Sequence, residues 1–379
     1  MRPVPASLPW VLAALLWLMA ATAQAQLLDF SPAERRAILG HGPWPTAPVP
    51  DTSNRLVEDA AAIALGRRLF FDTGLSGDGT VACASCHRPD RAFQDGRSTA
   101  IGLGPGVRNT LGLLDAAGQR WYGWDGGTDS LWAASVRPLL NPREMAGSAG
   151  TVAARLRGAP GLAAGARQAG IAVDGHEAAV LADVGKALAA FQATLVSPRT
   201  AFDDFRDALA RGDTAAAARY PLAAQRGLRL FVGRGHCALC HAGPRFSNGE
   251  FADIGAPFFV PGGGVDAGRH AGLQALRADP YNRLGPFADD GGAGAVATRH
   301  VRREHRHFGE FKVPGLRQLR HTAPYLHDGS LATLADVVRH YDQLNEDRLH
   351  ADGERILRPL GLSAEESADL VAFLESLSD

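Results

Sequence analysis

Two pentapeptides of the form C-x-x-C-H, Cys83-Ala-Ser-Cys86-His87 and Cys237-Ala-Leu-Cys240-His241, use all 4 cysteines of the 379-residue chain. Two thiols at this spacing with an imidazole directly after them suit covalent attachment of a c-type haem. The thiols add to the porphyrin vinyl groups, and the histidine reaches the iron from the same face as proximal ligand. A structural zinc site would need the two halves, about 150 residues apart, to converge on one ion, and it gives no reason for a histidine after each pair. A redox dithiol normally occurs once, near a βαβ pattern. The pattern predicts two covalently bound haem c groups and redox chemistry.

What a haem iron does depends on its sixth position: a strong ligand there makes an electron carrier, an open site admits peroxide or oxygen. The methionines are Met1, Met19 and Met145, and the first two fall in a segment expected to be removed. A His/Met haem can use only Met145. Histidine is plentiful at 13, and Tyr325 and Tyr341 lie in the C-terminal part, so His/His or His/Tyr ligation is favoured over His/Met.

The N-terminus reads as a secretory signal: Arg2, an apolar run from Val11 to Ala21, and the A-x-A site Ala23-Gln24-Ala25. The run is short for a membrane span, so residues 1–25 are expected to be cleaved and the mature chain to be periplasmic, with no further span. Residues 26–379 suit two domains of ordinary size, one per haem motif: an N-terminal haem domain over 26–210 and a C-terminal one over 211–379. With 39 basic and 40 acidic residues, nothing argues for nucleic acid or an anionic membrane surface.

The elements that must position the motifs are mainly helical. Glu58 to Phe71 is apolar at Ile63, Leu65, Leu69 and Phe70, a helical period, and it runs into a Gly/Asp-rich turn before the first motif. Thr151 to Arg157 and His176 to Val196 read as helices, the latter stopped by Ser197-Pro198. Ala215 to Phe231 leads into the second motif. Ser330 to Tyr341 is a helix capped by Ser330 or Thr333, and Ser363-x-x-Glu366 is a capping box opening a last helix to Leu377. Residues 100–130 and 255–310 read mostly as loop, and strand signals are sparse. The basic run Arg299 to His307 reads as a solvated loop, with docking of an acidic partner or metal binding by its histidines as the functional alternatives. The expected fold is mainly α: two cytochrome-c-like haem domains with long loops.

Around the motifs, the stretches LFFDTGLSGDGTVACASCH, AFQDGRSTAIG, VRNT, YGWDGGTDSL, RPLLNPREM, LFVGRGHCALCHAGPRFSN, FKVPGLR and TAPYLHDGSLATLADVVRHY resemble the bacterial di-haem cytochrome c peroxidases and their MauG-type relatives over nearly the whole mature length. The resemblance implies His87 and His241 as proximal ligands and Trp124 as the tryptophan between the haems that relays electrons. Glu144 matches the distal acid–base glutamate, which takes a proton from one peroxide oxygen and delivers it to the other. Asn109, with backbone carbonyls near Lys312 and Pro314, matches a calcium site between the domains, and oxygen-only ligation suits calcium. His327 reads as a structural histidine near the second haem, holding a propionate or a backbone carbonyl.

Three departures sort the subfamily. Where the plain peroxidases carry a capping histidine, this chain has Leu103 in Ile101-Gly102-Leu103-Gly104, so the first haem should stay open. Where they carry a methionine ligand, Tyr341 stands in Val337-Val338-Arg339-His340-Tyr341, as in MauG-type enzymes; His340 is the neighbouring alternative. A distal glutamine of the family is here Ala134. The tail from Tyr341 onward looks most like the MbnH-type enzymes. That resemblance implies a periplasmic di-haem oxidoreductase. Hydrogen peroxide would form a high-valent bis-Fe(IV) state that oxidises an aromatic residue, tryptophan, of a partner protein such as MbnP. The alternatives are a peroxidase that reduces peroxide to water with electrons from a small cytochrome or cupredoxin, and an electron-transfer cytochrome in which a histidine such as His41 closes the first site.

Overall fold

The computed structural model describes residues 26–379 apart from 48, 257, 258, 261, 262, 347, 349 and 354; the expected signal segment, 1–25, lies outside the described residues. Helices dominate, and the described strands are four two-residue pieces: Phe251–Ala252 paired antiparallel with Phe311–Lys312, and Phe259–Val260 with Gly264–Val265.

The first hydrophobic core is built by helices Ala60–Phe70, Leu131–Leu140, Ala149–Gly158, Pro160–Gln168 and Glu177–Ala193. The last of these is apolar on nearly every side and sits at the centre, buried almost without break from Val180 to Gln192. Its neighbours approach closely because glycines stand at the crossings. A Cβ on Gly66 would lie 1.9 Å from the Ala187 carbonyl oxygen, and one on Gly185 would lie 2.5 Å from Val136. The one buried cation of the central helix, Lys186, reaches out to Asp289 at 2.8 Å, as a buried ammonium requires.

The second core joins helices Leu222–Val232 and Ala364–Glu375, which cross at Gly227; a Cβ there would meet the Asp369 carbonyl oxygen at 2.0 Å. It also takes in Phe30, Ile38 of helix Pro32–Leu39, and Phe202, Phe205 and Leu209 of helix Ala201–Arg211. These residues precede position 210 in sequence yet pack with the second haem motif. Arg317 locks this core through a bidentate ion pair with Asp203, 2.7 Å and 2.9 Å, both side chains buried.

Several elements differ from the sequence reading. The helix expected over 215–231 is two, Thr214–Ala217 and Leu222–Val232, because Pro221 breaks it and starts the second. The loop expected over 255–310 contains helices Arg269–Ala278 and Val296–His300. Helix Pro32–Leu39 was readable from its Ser31/Glu34 capping box, which forms. The expected caps on the last two helices both form: Thr333 caps Leu334–Asp342, and Ser363 caps Ala364–Glu375.

Candidate functional site

Both C-x-x-C-H motifs open onto one cavity of about 1530 Å³, larger than the ~300–1,000 Å³ typical of a single ligand pocket. Each histidine is fixed in the same way. The His87 backbone N–H donates to the Cys83 carbonyl, and its Nδ1–H donates to the Phe93 carbonyl at 3.0 Å. The His241 N–H donates to the Cys237 carbonyl, and its Nδ1–H donates to the Phe246 carbonyl at 2.9 Å. Phe93 and Phe246 both adopt left-handed backbone, φ 59° and 54°, which turns the chain back over each ring. Nδ1 is thereby spent on a carbonyl, and Nε2 is left to ligate a metal. None of the four cysteines is in a disulfide. Burial pushes the Cys83 and Cys237 thiols up to about 12 and Cys86 to about 11, a setting that disfavours the thiolates a zinc site requires. The donor set and the cavity fit two covalently attached haems.

In each half a turn and a capped helix also line the cavity, and the two sets correspond. In the first half, Tyr122 bridges to Thr128, Gly126 N–H donates to the Gly123 carbonyl, and Ser130 caps helix Leu131–Leu140. In the second half, Tyr325 bridges to Leu331, Gly329 N–H donates to the Leu326 carbonyl, and Thr333 caps helix Leu334–Asp342. Counting from the caps, Leu131, Ala134, Ser135 and Pro138 stand where Leu334, Val337, Val338 and Tyr341 stand, and all eight line the cavity. Tyr341 therefore corresponds to Pro138, which has no ligating atom. Trp124 corresponds to His327.

Tyr341 lies beside Cys237 and Cys240, and burial raises its phenol above the ordinary range. His340 is turned away, with its Nε2–H donating to the Ile254 carbonyl at 2.9 Å. On the first side, Glu144 sits in the turn after helix Leu131–Leu140, where the Asn141 carbonyl accepts the N–H groups of Glu144, Met145 and Ala146. Asn141 Nδ2 donates to Glu144 Oε1 at 2.6 Å. Burial raises the Glu144 carboxyl above its usual range, against the pull of Arg137 and Asn141. The Ile101–Gly104 loop lies directly on this turn: Leu103 N–H donates to the Glu144 carbonyl at 3.0 Å and Gly104 N–H to the Arg143 carbonyl at 2.9 Å. A Cβ on Gly102 would come within 2.4 Å of the Glu144 carbonyl oxygen. Ala134 lines the cavity where the family's glutamine is expected. Met145 is buried in the first core. His41 is buried in the second half, stacked on Phe246 with centroids 4.5 Å apart.

Trp124 is buried, its Nε1–H donating to the Asn109 carbonyl at 2.9 Å and its own carbonyl accepting from Lys312 N–H at 2.9 Å. The Asn109 side chain donates to the Arg97 carbonyl at 2.7 Å, and its N–H donates to the His327 carbonyl. His327 stacks on Phe311 with centroids 3.5 Å apart. The Lys312 ammonium is bound by Gln119 Oε1 and the Trp121 carbonyl. Burial, with Arg245 and Arg269 facing it, lowers this amine to about 7.

The sequence reading missed the charge network that joins the halves. Arg108 grips Asp266 with two 2.7 Å bonds and Asp125 at 2.6 Å, and Arg137 also pairs with Asp125. Burial would raise Asp125, yet the two guanidinium groups hold it well below the usual carboxylate range. Through Arg108 the residue beside Trp124 is thus clamped to a loop more than 140 positions away, and nothing in the local sequence signals Asp266 as the second partner of Arg108.

A mainly helical chain with two haem-attachment motifs on one cavity is a di-haem c-type protein. A family model described as di-haem cytochrome c peroxidase matches residues 60–211. The methylamine utilization protein MauG of Methylorubrum extorquens is 38% identical over 317 residues, covering 83% of this chain and 77% of the relative. The cytochrome-c peroxidase IdrP1 of Denitromonas iodatirespirans is 34% identical over 352 residues, covering 89% and 86%. A crystal structure of a MauG-like protein associated with microbial copper homeostasis superposes with TM-score 0.68 at 26% identity, covering 89% of this chain and 95% of that one. The di-haem peroxidase BthA of Burkholderia thailandensis shares the fold, with TM-score 0.67. The chain belongs to the di-haem cytochrome c peroxidase/MauG family, oxidoreductases that act on peroxide. Among the described residues, no helix is long and apolar enough to cross a membrane.

Proposed function

We propose that the protein is a periplasmic MauG-type oxidoreductase, close to the MbnH-type enzymes, that uses hydrogen peroxide to oxidise an aromatic side chain of a partner protein, a tryptophan. The observation that supports this reading is the unlike surroundings of the two motifs: Glu144 lies near Cys83 and Cys86, Tyr341 lies beside Cys237 and Cys240, and the position matching Tyr341 in the first half is Pro138. The likeness to a MauG-like protein associated with copper homeostasis supports the subgroup.

Cys83, Cys86 and His87, and Cys237, Cys240 and His241, would hold two haems, which would supply the oxidising capacity for the reaction with peroxide. Glu144 moves the proton. Asn141 fixes Oε1, and the carboxylate takes a proton from one peroxide oxygen and returns it to the other, so that water leaves. Trp124 relays an electron across the cavity. Its N–H is bonded to a neutral carbonyl, which is too weak a base to take the proton, so the indole keeps its hydrogen and recovers after each transfer. Tyr341, beside Cys237 and Cys240, would offer a phenol oxygen to the second haem, a donor that would favour ferric and higher states over ferrous. The substrate side chain stays outside both pockets. A calcium ion between the halves would take Asn109 Oδ1 and the carbonyls of Lys312 and Pro314, an all-oxygen set that suits it. The named peroxidase relatives favour a second reading, in which an external donor protein supplies electrons for peroxide reduction.

The test is to add stoichiometric peroxide to the fully ferric protein without prior reduction or donor. The proposal expects immediate loss of the high-spin signal and two oxidising equivalents retained for later titration by a reductant. No reaction until the protein is half-reduced would overturn it in favour of the second reading.

A further inference from the structure

We propose that His305, His350 and Asp352 form a surface site for a divalent first-row transition ion of the zinc or copper class, separate from the haem cavity. His305 opens the short 3-10 turn His305–His307 after helix Val296–His300, and His350 and Asp352 lie in the loop joining helix Leu334–Asp342 to the last helix. One ligand atom from each lies within 4.8 Å of the other two. His305 Nδ1 and Asp352 Oδ2 are 3.1 Å apart, close to the ~3.3 Å edge of a tetrahedron whose centre is ~2.0–2.1 Å from each ligand. The His305 and His350 rings meet edge to face with centroids 4.7 Å apart.

His350 carries the argument furthest. Its Nε2–H donates to the Phe308 carbonyl at 2.8 Å, so Nδ1 bears the lone pair. That nitrogen is buried and has no hydrogen-bond partner among the described residues. A buried polar atom left unpaired is unfavourable, and a bound cation removes that cost. A histidine that holds a backbone carbonyl with one nitrogen and offers the other is the usual arrangement of a metal ligand and its outer partner. Two neutral imidazoles and one carboxylate suit zinc or copper rather than calcium or magnesium, which prefer oxygen alone. His305 and Asp352 are exposed, so the fourth position faces solvent and the ion can exchange. Binding ties the two loops together. The second loop leaves the helix that carries Tyr341, and its residues Ile356, Leu357, Arg358 and Leu360 line the haem cavity, so the ion fixes part of the wall on the Tyr341 side.

The probe is zinc, titrated by calorimetry into the untagged, chelator-treated protein with both haems in place, with metal content measured after desalting. The expected result is one zinc for every two irons. His350→Ala and Asp352→Asn should each weaken binding by at least the roughly 100-fold that loss of an outer partner can cost. His300→Ala, an exposed histidine of the same basic run, should bind as the parent does. Zinc should also slow amide exchange over residues 350–353. Unchanged haem spectra in every variant establish that each has folded. Absence of saturable binding, or His350→Ala binding zinc as tightly as the parent, would overturn the proposal.

Discussion

The two halves use the same parts in the same order. Gly66-Arg67-Arg68-Leu69-Phe70 and Gly227-Leu228-Arg229-Leu230-Phe231 are matching helix segments, and each glycine admits the carbonyl of the closing helix of its own half. Each helix leads to a C-x-x-C-H motif, a left-handed phenylalanine whose carbonyl holds the histidine, a bridged turn and a capped helix. The difference falls eight residues after the cap, Pro138 against Tyr341. Proline offers no donor atom, and the chain then turns to bring Glu144 in; tyrosine offers an oxygen. One scaffold thus carries a carboxyl side chain near one haem motif and a phenol beside the other, and on the proposed function the asymmetry lies in a few side chains rather than in the fold.

The comparison can be broken in order of expected effect. Glu144→Gln keeps the hydrogen-bonding shape and loses the proton acceptor. The peroxide reaction measured by stopped-flow absorbance should slow by about 10²–10⁴, with the second pocket's spectrum unchanged. Asp203→Ala leaves Arg317 charged, buried and unpaired, and should destabilise the second half by about 3–5 kcal/mol in denaturant titration, while the first half, which lacks this pair, unfolds as before. Gly66→Ala and Gly227→Ala each place a methyl group against a carbonyl and should cost about 1–3 kcal/mol. Similar losses from the two, read by thermal unfolding, would sharpen the equivalence of the crossings, and a loss from only one would break it. The smallest effect is the pH profile. Because burial raises Glu144 and the reaction needs the carboxylate, the rate should fall, by up to tenfold per unit, while the pH is still above the ordinary glutamate value of ~4.3; a rate flat down to that value would place Glu144 outside the reaction.

Local chemistry was legible in the sequence where it depends on adjacent residues. The haem motifs and the caps of the last two helices rest on contacts within a few positions, whereas Glu144 stood out only through the resemblance and not from its own neighbours. Features set by distant partners were not legible. Asp266 joins Arg108 across 158 positions, and Asp203 meets Arg317 across 114. The packing of helix Pro32–Leu39 into the second core likewise depends on residues nearly 200 positions away, such as Gln225, whose Oε1 accepts from the Leu28 N–H. The break at Pro221 was readable and overlooked, since a proline forbids the continuous helix.

The central claim is that the first pocket is open and the second is closed by Tyr341. Electron paramagnetic resonance of the resting ferric protein and its Tyr341→Phe variant tests it most directly. The account predicts one high-spin and one low-spin haem in the parent, with only the low-spin signal changed in the variant and no change in His340→Ala. Two low-spin haems in the parent, or a parent-like spectrum from Tyr341→Phe, would contradict it.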